Sequence, residues 1–111
     1  MYEYAATVTN VVDGDTVDAE LELGFYATIK LRFRLLGVNC PEVHGPSRPK
    51  GLEAAAYTRS QLLGKAVVIR TRKADDFGRW LGAITLDGAD FNARLVELGY
   101  AVPYMVDKTA S

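Results

Sequence analysis

From Thr16 the chain alternates, with Val17, Ala19, Leu21 and Leu23 on one face and Asp18, Glu20 and Glu22 on the other. That two-residue period predicts a half-buried strand. A turn around Gly24 leads into a second alternating run, Ile29, Leu31, Phe33 and Leu35 against Lys30, Arg32 and Arg34. The two runs form a hairpin whose outer faces are acidic on one strand and basic on the other, a pairing that favours register by roughly 0.2 to 1 kcal/mol per pair. Residues 41–51, "PEVHGPSRPKG", are too rich in proline and glycine for either period and read as an irregular loop. "LEAAAYTRSQLLG" then places Leu52, Ala55, Ala56 and Leu63 at helical spacing and stops at Gly64. "KAVVIRTR" and "RWLGAITL" are two further strands, the second closed by the turn dipeptide Asp87-Gly88. Asp90 caps a short second helix that runs through Leu98 to Gly99.

The order strands, helix, strands, helix, without repeated βαβ units, predicts an α+β fold built on a small, mostly antiparallel barrel with two packed helices. A length of 111 residues with 49% apolar side chains is enough for one domain with its own core, so residues 1–111 are read as a single unit with a loose tail after about Tyr104. No segment reaches the about 20 apolar residues of a membrane helix, and "MYEYAATVTN" lacks the basic flank and apolar run of a secretory signal. The expectation is a cytoplasmic chain with no membrane partner. Cys40 is the single cysteine, which excludes an internal disulfide and leaves only His44 to join it at zinc.

A net charge of −1 argues against a strongly basic polyanion binder, but the charges are unevenly placed. Before Ala27 every charged residue is acidic, whereas from Arg48 to Lys73 seven bases face only Glu53. That basic stretch can meet phosphates or pair within the molecule.

The stretch "VVDGDTV" sets Asp13 and Asp15 one residue apart at the head of the first alternating run. Asp15 shares the parity of Val17 and Ala19, and Asn39 shares that of Phe33 and Leu35, so on regular strands both point inward at one barrel mouth. Two such groups need partners, and a hard cation or waters would supply them. Carboxylate, amide oxygen and backbone carbonyl suit calcium better than zinc or copper. An EF-hand is excluded, because the further ligands and the closing glutamate are missing. On spacing alone a polar turn explains the motif better than a metal site does. Arg34 likewise has two readings, a rung in the charge ladder or a clamp on phosphate.

"VVDGDTV", "FRLLGVNCPE", "KGLEAAAYTRSQLLGK", "DDFGRWLGAI" and "NARLVELGYA", in this order, resemble the staphylococcal (micrococcal) nuclease, or thermonuclease-like, family over nearly the whole chain. The resemblance implies a five-stranded OB-fold barrel that cleaves DNA and RNA with calcium and leaves 3′-phosphate ends; single strands or frayed duplex are the expected substrates because bases can then stack on Phe77 or Tyr104. Residue by residue, it implies that Asp15 binds calcium, that Asn39 stands where the family has a second aspartate, and that Cys40 lends a backbone carbonyl in place of a threonine. It implies that Glu42 orients or activates the attacking water, that Arg34 and Arg79 grip the scissile phosphate, and that Phe77 and Tyr104 contact the nucleotide. These types suit the chemistry, since charge builds on nonbridging oxygens that a cation and guanidinium groups stabilise.

Two departures stand out. Asn39 removes a full negative charge from the metal site, and "PYMVDKTAS" is too short for the third helix of many relatives, so that a partner chain or self-association as a homo-oligomer is expected to cover that surface. The rival reading keeps the OB-fold and drops the chemistry, leaving a nucleic-acid-binding or protein-interaction module. His44 reads as a solvated or phosphate-contacting side chain, Trp80 as barrel wall, and Asp13, Asp75 and Asp76 as turn residues.

Overall fold

The computed structural model describes residues 2–73 and 80–104 of the chain. Strand β1 (Tyr2–Asp13) is the longest element that the hydrophobic pattern does not predict among the described residues. It buries Ala6, Val8 and Val11, so the two-residue period slips by one between Val8 and Val11. The cause is a register shift against β2 (Thr16–Gly24) between Val8 and Asn10. A bulge of this kind hides a strand from any search for strict alternation.

The predicted hairpin is present. β2 pairs antiparallel with β3 (Ala27–Leu35), and the charge ladder sets Asp18 opposite Arg32 and Glu20 opposite Lys30, with an ion pair at the first. Arg32 Nε and Nη2 donate to the two Asp18 oxygens at 2.7 and 3.2 Å. The hairpin turns at Phe25 and Tyr26 with φ of 55° and 63°. Two left-handed residues in succession match a type I′ turn, which favours Asn-Gly and costs side-chain-bearing residues roughly 1 kcal/mol or more each.

After β4 (Val38–Asn39) and a turn of 3₁₀ helix (Gly45–Ser47), helix α1 spans Arg48–Leu62 and β5 spans Ala66–Lys73. β6 (Trp80–Leu86) turns through Asp87 and Gly88 into β7 (Ala89–Asp90), followed by α2 (Phe91–Glu97) and β8 (Val102–Pro103). The Asp90 cap is as predicted, its side chain accepting from the Ala93 amide at 3.0 Å. Strands run β3-β2-β1-β5-β6, and a parallel pairing of Phe33–Leu35 with Trp80–Gly82 closes the ring. All other ladders of the ring are antiparallel. This is the mixed five-stranded OB barrel, filled by Val8, Val17, Phe33, Leu35, Ile69 and Ile84.

Helix α1 presents a different face from the one its leucines predict. Gly51, Ala54, Ala55, Thr58 and Leu62 are buried, whereas Leu52 and Leu63 are 45% and 43% exposed and Ala56 faces solvent. Small residues let the helix axis come close to the β1–β2 turn, and that approach outweighs burial of two leucines. Tyr57 on the same helix stacks on Tyr100, ring centroids 4.6 Å apart, and so ties α1 to the end of α2. Buried Asn92 of α2 donates to the carbonyls of Leu36 and Gly82 and accepts from the Ile84 amide.

Hydrogen bonds from Arg32 hold the Asp18 carboxylate below its ordinary value of 3.8. A depressed folded value means that this stabilisation is present above the ordinary value and is lost as pH falls through the folded one. Both groups are partly exposed and screened, so Arg32→Gln is expected to lower stability at neutral pH by about 0.5 kcal/mol. In urea titrations the difference from the parent should shrink and vanish as pH falls through the depressed Asp18 value.

Candidate active site

The Asp13–Thr16 turn is a two-residue hairpin loop between β1 and β2, with Asp13 opposite Thr16. It is pinned from three sides. A Cβ on Gly14 would come within 2.8 Å of the Ala54 side chain and 2.9 Å of Cys40 Sγ, so only glycine fits between helix and loop. The Thr58 hydroxyl donates to the Gly14 carbonyl at 2.8 Å, and the Leu35 amide donates to the Asp15 carbonyl at 2.7 Å.

Held this way, Asp15 turns a carboxylate into the barrel mouth with only 6% of the residue exposed, as strand parity predicts. Oδ2 accepts from the Cys40 amide at 2.7 Å and Oδ1 from the Thr16 hydroxyl at 3.1 Å. Arg34 Nη1 lies 2.9 Å from Oδ2, an ion pair whose angle falls short of a hydrogen bond. The Coulombic attraction needs no such angle, so the pairing stands while the N–H direction is left open to another acceptor. Arg34 Nη2 donates to Asn39 Oδ1 at 2.8 Å, and the guanidinium carbon lies 5.5 Å from the centre of the Tyr104 ring. Arg34 is therefore not one more exposed rung beside Arg32. Its side chain is 11% exposed against 57% for Arg32.

Asn39 reaches this cluster by a route that parity does not predict. β3 stops at Leu35, a turn at Leu36 and Gly37 intervenes, and β4 pairs with β8 instead. In that short strand Val38 is the buried residue and Asn39 is exposed at the rim, so the expected inward direction is wrong. Its amide oxygen still converges with Asp15 on Arg34. Tyr104 is placed by the same return strand, its amide donating to the Gly37 carbonyl at 2.8 Å.

Cys40 is buried, and burial, with the Asp15 charge beside it, pushes its thiol up to about 12. The side chain is a packing group, and its amide orients Asp15. Glu42 is exposed on the segment that follows. Its backbone is fixed by Gly51, where a Cβ would fall on the Glu42 carbonyl and 2.8 Å from the Val43 nitrogen. Asp13 lies on the same rim: burial raises its pKa, the charges of Asp15 and Glu42 add to the rise, and His44 and the Val43 amide oppose it. The turn thus places Asp13, Asp15 and Glu42 within electrostatic reach of one another.

The oxygen donors on this rim, Asp15 and Asn39, are of the hard type that calcium takes, and they already converge on one positive group. They fit calcium in kind but bring one full charge between them. Among the described residues no three His, Cys, Asp or Glu side chains gather closely enough to hold a metal by themselves. Phe77 and Arg79 lie outside the described residues. Trp80, read as barrel wall, packs against the core at the start of β6. Thr58 and Gly51 are the supporting residues that motif reasoning misses; the tight loop-to-helix approach gives them meaning only in three dimensions.

A closed OB barrel thus carries a buried aspartate, an arginine and an exposed glutamate at one mouth. The staphylococcal nuclease homologue model matches residues 32–111, and the chain belongs to that family. It is 31% identical to the thermonuclease of Staphylococcus intermedius over 85% of its length. It is also 34% identical to the endonuclease YhcR of Bacillus subtilis over 94%, and 30% identical to an uncharacterized protein of Methanocaldococcus jannaschii over 92%. The chain spans 56%, 9% and 60% of those three proteins, respectively. Among the described residues no helix is long and apolar enough to cross a membrane.

Alanine in place of a mid-helix glycine ordinarily stabilises by about 0.5 to 1 kcal/mol. Gly51→Ala should do the opposite, destabilising by about 1 to 3 kcal/mol because the new methyl must push the Glu42 carbonyl away. Thermal melts test the sign, and amide resonances of Glu42 and Val43 should move most.

Proposed function

We propose that the chain is a calcium-dependent endonuclease that hydrolyses phosphodiester bonds of DNA and RNA with little sequence preference, leaving 3′-phosphate ends. The observation that carries this reading is the convergence of Asp15 Oδ2 and Asn39 Oδ1 on the Arg34 guanidinium beside the Tyr104 ring. The names of the thermonuclease and endonuclease relatives support the same reaction class.

Arg34 offers a planar, multi-donor group at the rim. An arriving phosphate can take over the donor now given to Asn39, and a guanidinium fork matches the nonbridging oxygens better than a lysine would. Glu42, on a backbone fixed against Gly51, is the residue proposed to align a water and accept its proton. Tyr104, 47% exposed, offers a ring face to an unpaired base, which favours single strands. Arg79 and Phe77 are proposed as a second phosphate contact and a second nucleotide contact. Asp15 and Asn39, with the Cys40 backbone carbonyl, would hold calcium, which when bound neutralises charge on the phosphate. Cys40 does no chemistry in this scheme, its thiol staying protonated throughout the working pH range.

Labelled single-stranded DNA with calcium, and then with chelator, tests the reading. Arg34→Lys keeps a cation beside Asp15, so the fold should survive, while loss of the fork should slow cleavage about 100-fold or more. Glu42→Gln should slow it by about 100-fold or more without weakening binding. Binding by the parent chain with no cleavage at any calcium concentration would instead assign a nucleic-acid-binding module.

Asn39→Asp restores the missing charge and is expected to tighten calcium binding by about tenfold or more in titration calorimetry. Unchanged affinity would remove Asn39 from the ligand set.

A further inference from the structure

The opposite end of the β2–β3 hairpin carries features that the proposed chemistry does not use. From the Thr16–Arg34 pair to the tip the hairpin runs eight residues, roughly 26 Å at a strand rise of about 3.3 Å per residue. At that tip Phe25 and Tyr26 are fully exposed and both left-handed. Beside it lies an open apolar cavity of about 500 Å³, with Tyr2, Tyr4, Leu23, Ile29, Leu31 and Trp80 among its walls. Tyr2, Leu23 and Ile29 stay 73%, 45% and 41% exposed. Among the described residues β3 pairs with β6 only at Phe33–Leu35, so its stretch from Ala27 to Arg32 pairs with β2 alone.

Bulky aromatics at a strained turn, an apolar hollow and a strand edge lie together at one end. A turn chosen for its own stability would carry Asn-Gly, so the aromatic pair answers to something outside the chain. We propose that this end of the barrel is a self-association surface, on which the Phe25–Tyr26 tip of each copy seats in the apolar cavity of a second copy.

Projection and hollow are neighbours on the same molecule, so a two-fold axis satisfies both at once and closes the assembly as a dimer. The tip then lies beside Leu31 and Trp80 of the second copy, at the cavity mouth. Four aromatic rings bury about 150–250 Å² each, and with the walls they meet the total reaches the roughly 1,200–2,000 Å² of a stable interface. The inference does not rest on the nuclease reading.

Sedimentation equilibrium of the full chain, from low micromolar to hundreds of micromolar, tests it. The parent should double in mass with concentration. Phe25→Asn with Tyr26→Gly removes the projection while supplying the preferred turn, so this variant should melt no lower than the parent's monomer yet associate at least about 100-fold more weakly. Ile29→Lys, which puts a charge at the cavity lip, should also weaken association. A parent that stays monomeric throughout, or a tip variant that dimerises as well as the parent, overturns the proposal. So does a monomeric parent whose tip is needed for flotation with phospholipid vesicles, which would give the tip to a lipid surface.

Discussion

The close seating of Gly14 against helix α1 is the constraint on which the rest of the molecule depends. Backbone contact at that point brings Thr58 within hydrogen-bond reach of the Gly14 carbonyl and leaves the next residue, Asp15, facing into the barrel mouth. The Cys40 amide then has a carboxylate to meet, and the loop that carries Glu42 is drawn over the same rim. Gly51 repeats the device one turn before Ala54 on the same helix, with the Glu42 backbone in place of a side chain. One helix of small residues therefore organises two loops that are far apart in sequence.

The charges follow from this geometry. A carboxylate as buried as Asp15 is expensive without a cation, and Arg34 supplies one at 2.9 Å while a backbone amide and a hydroxyl take the remaining lone pairs. Replacing carboxylate by amide at position 39 lets the same guanidinium reach a second oxygen without a second charge to balance. The site is neutral enough to be stable with its own residues alone, and polar enough to exchange partners.

The parts of this structure legible in the sequence are those governed by local rules. Strict alternation reveals β2 and β3, the Asp87-Gly88 dipeptide reveals the β6–β7 turn, and Asp90 reveals the cap of α2. The inward aspartate is legible too, because β2 is regular from Thr16 and Asp15, in the turn just before it, keeps the parity of Val17 and Ala19. What fails is set by distant contacts. A bulge hides β1, the proximity of Gly14 decides which face α1 buries, and a turn at Leu36 and Gly37 resets the parity on which Asn39 depends. Fragment order in the sequence points to the family; how Arg34 is partnered becomes visible only when β8 brings Tyr104 back beside it.

The ring closes between β3 and β6, whose paired residues Phe33 and Trp80 lie almost half the chain apart. The hairpin that precedes them can form early and locally, but closure must wait for α1 and β5, and the return strand that presents Tyr104 comes later still. A chain emerging from the ribosome with its N-terminus first carries Asp15, Arg34 and Glu42 long before the scaffold that aligns them. Synthesis itself therefore delays assembly of the site until the closed barrel and its return strand are available.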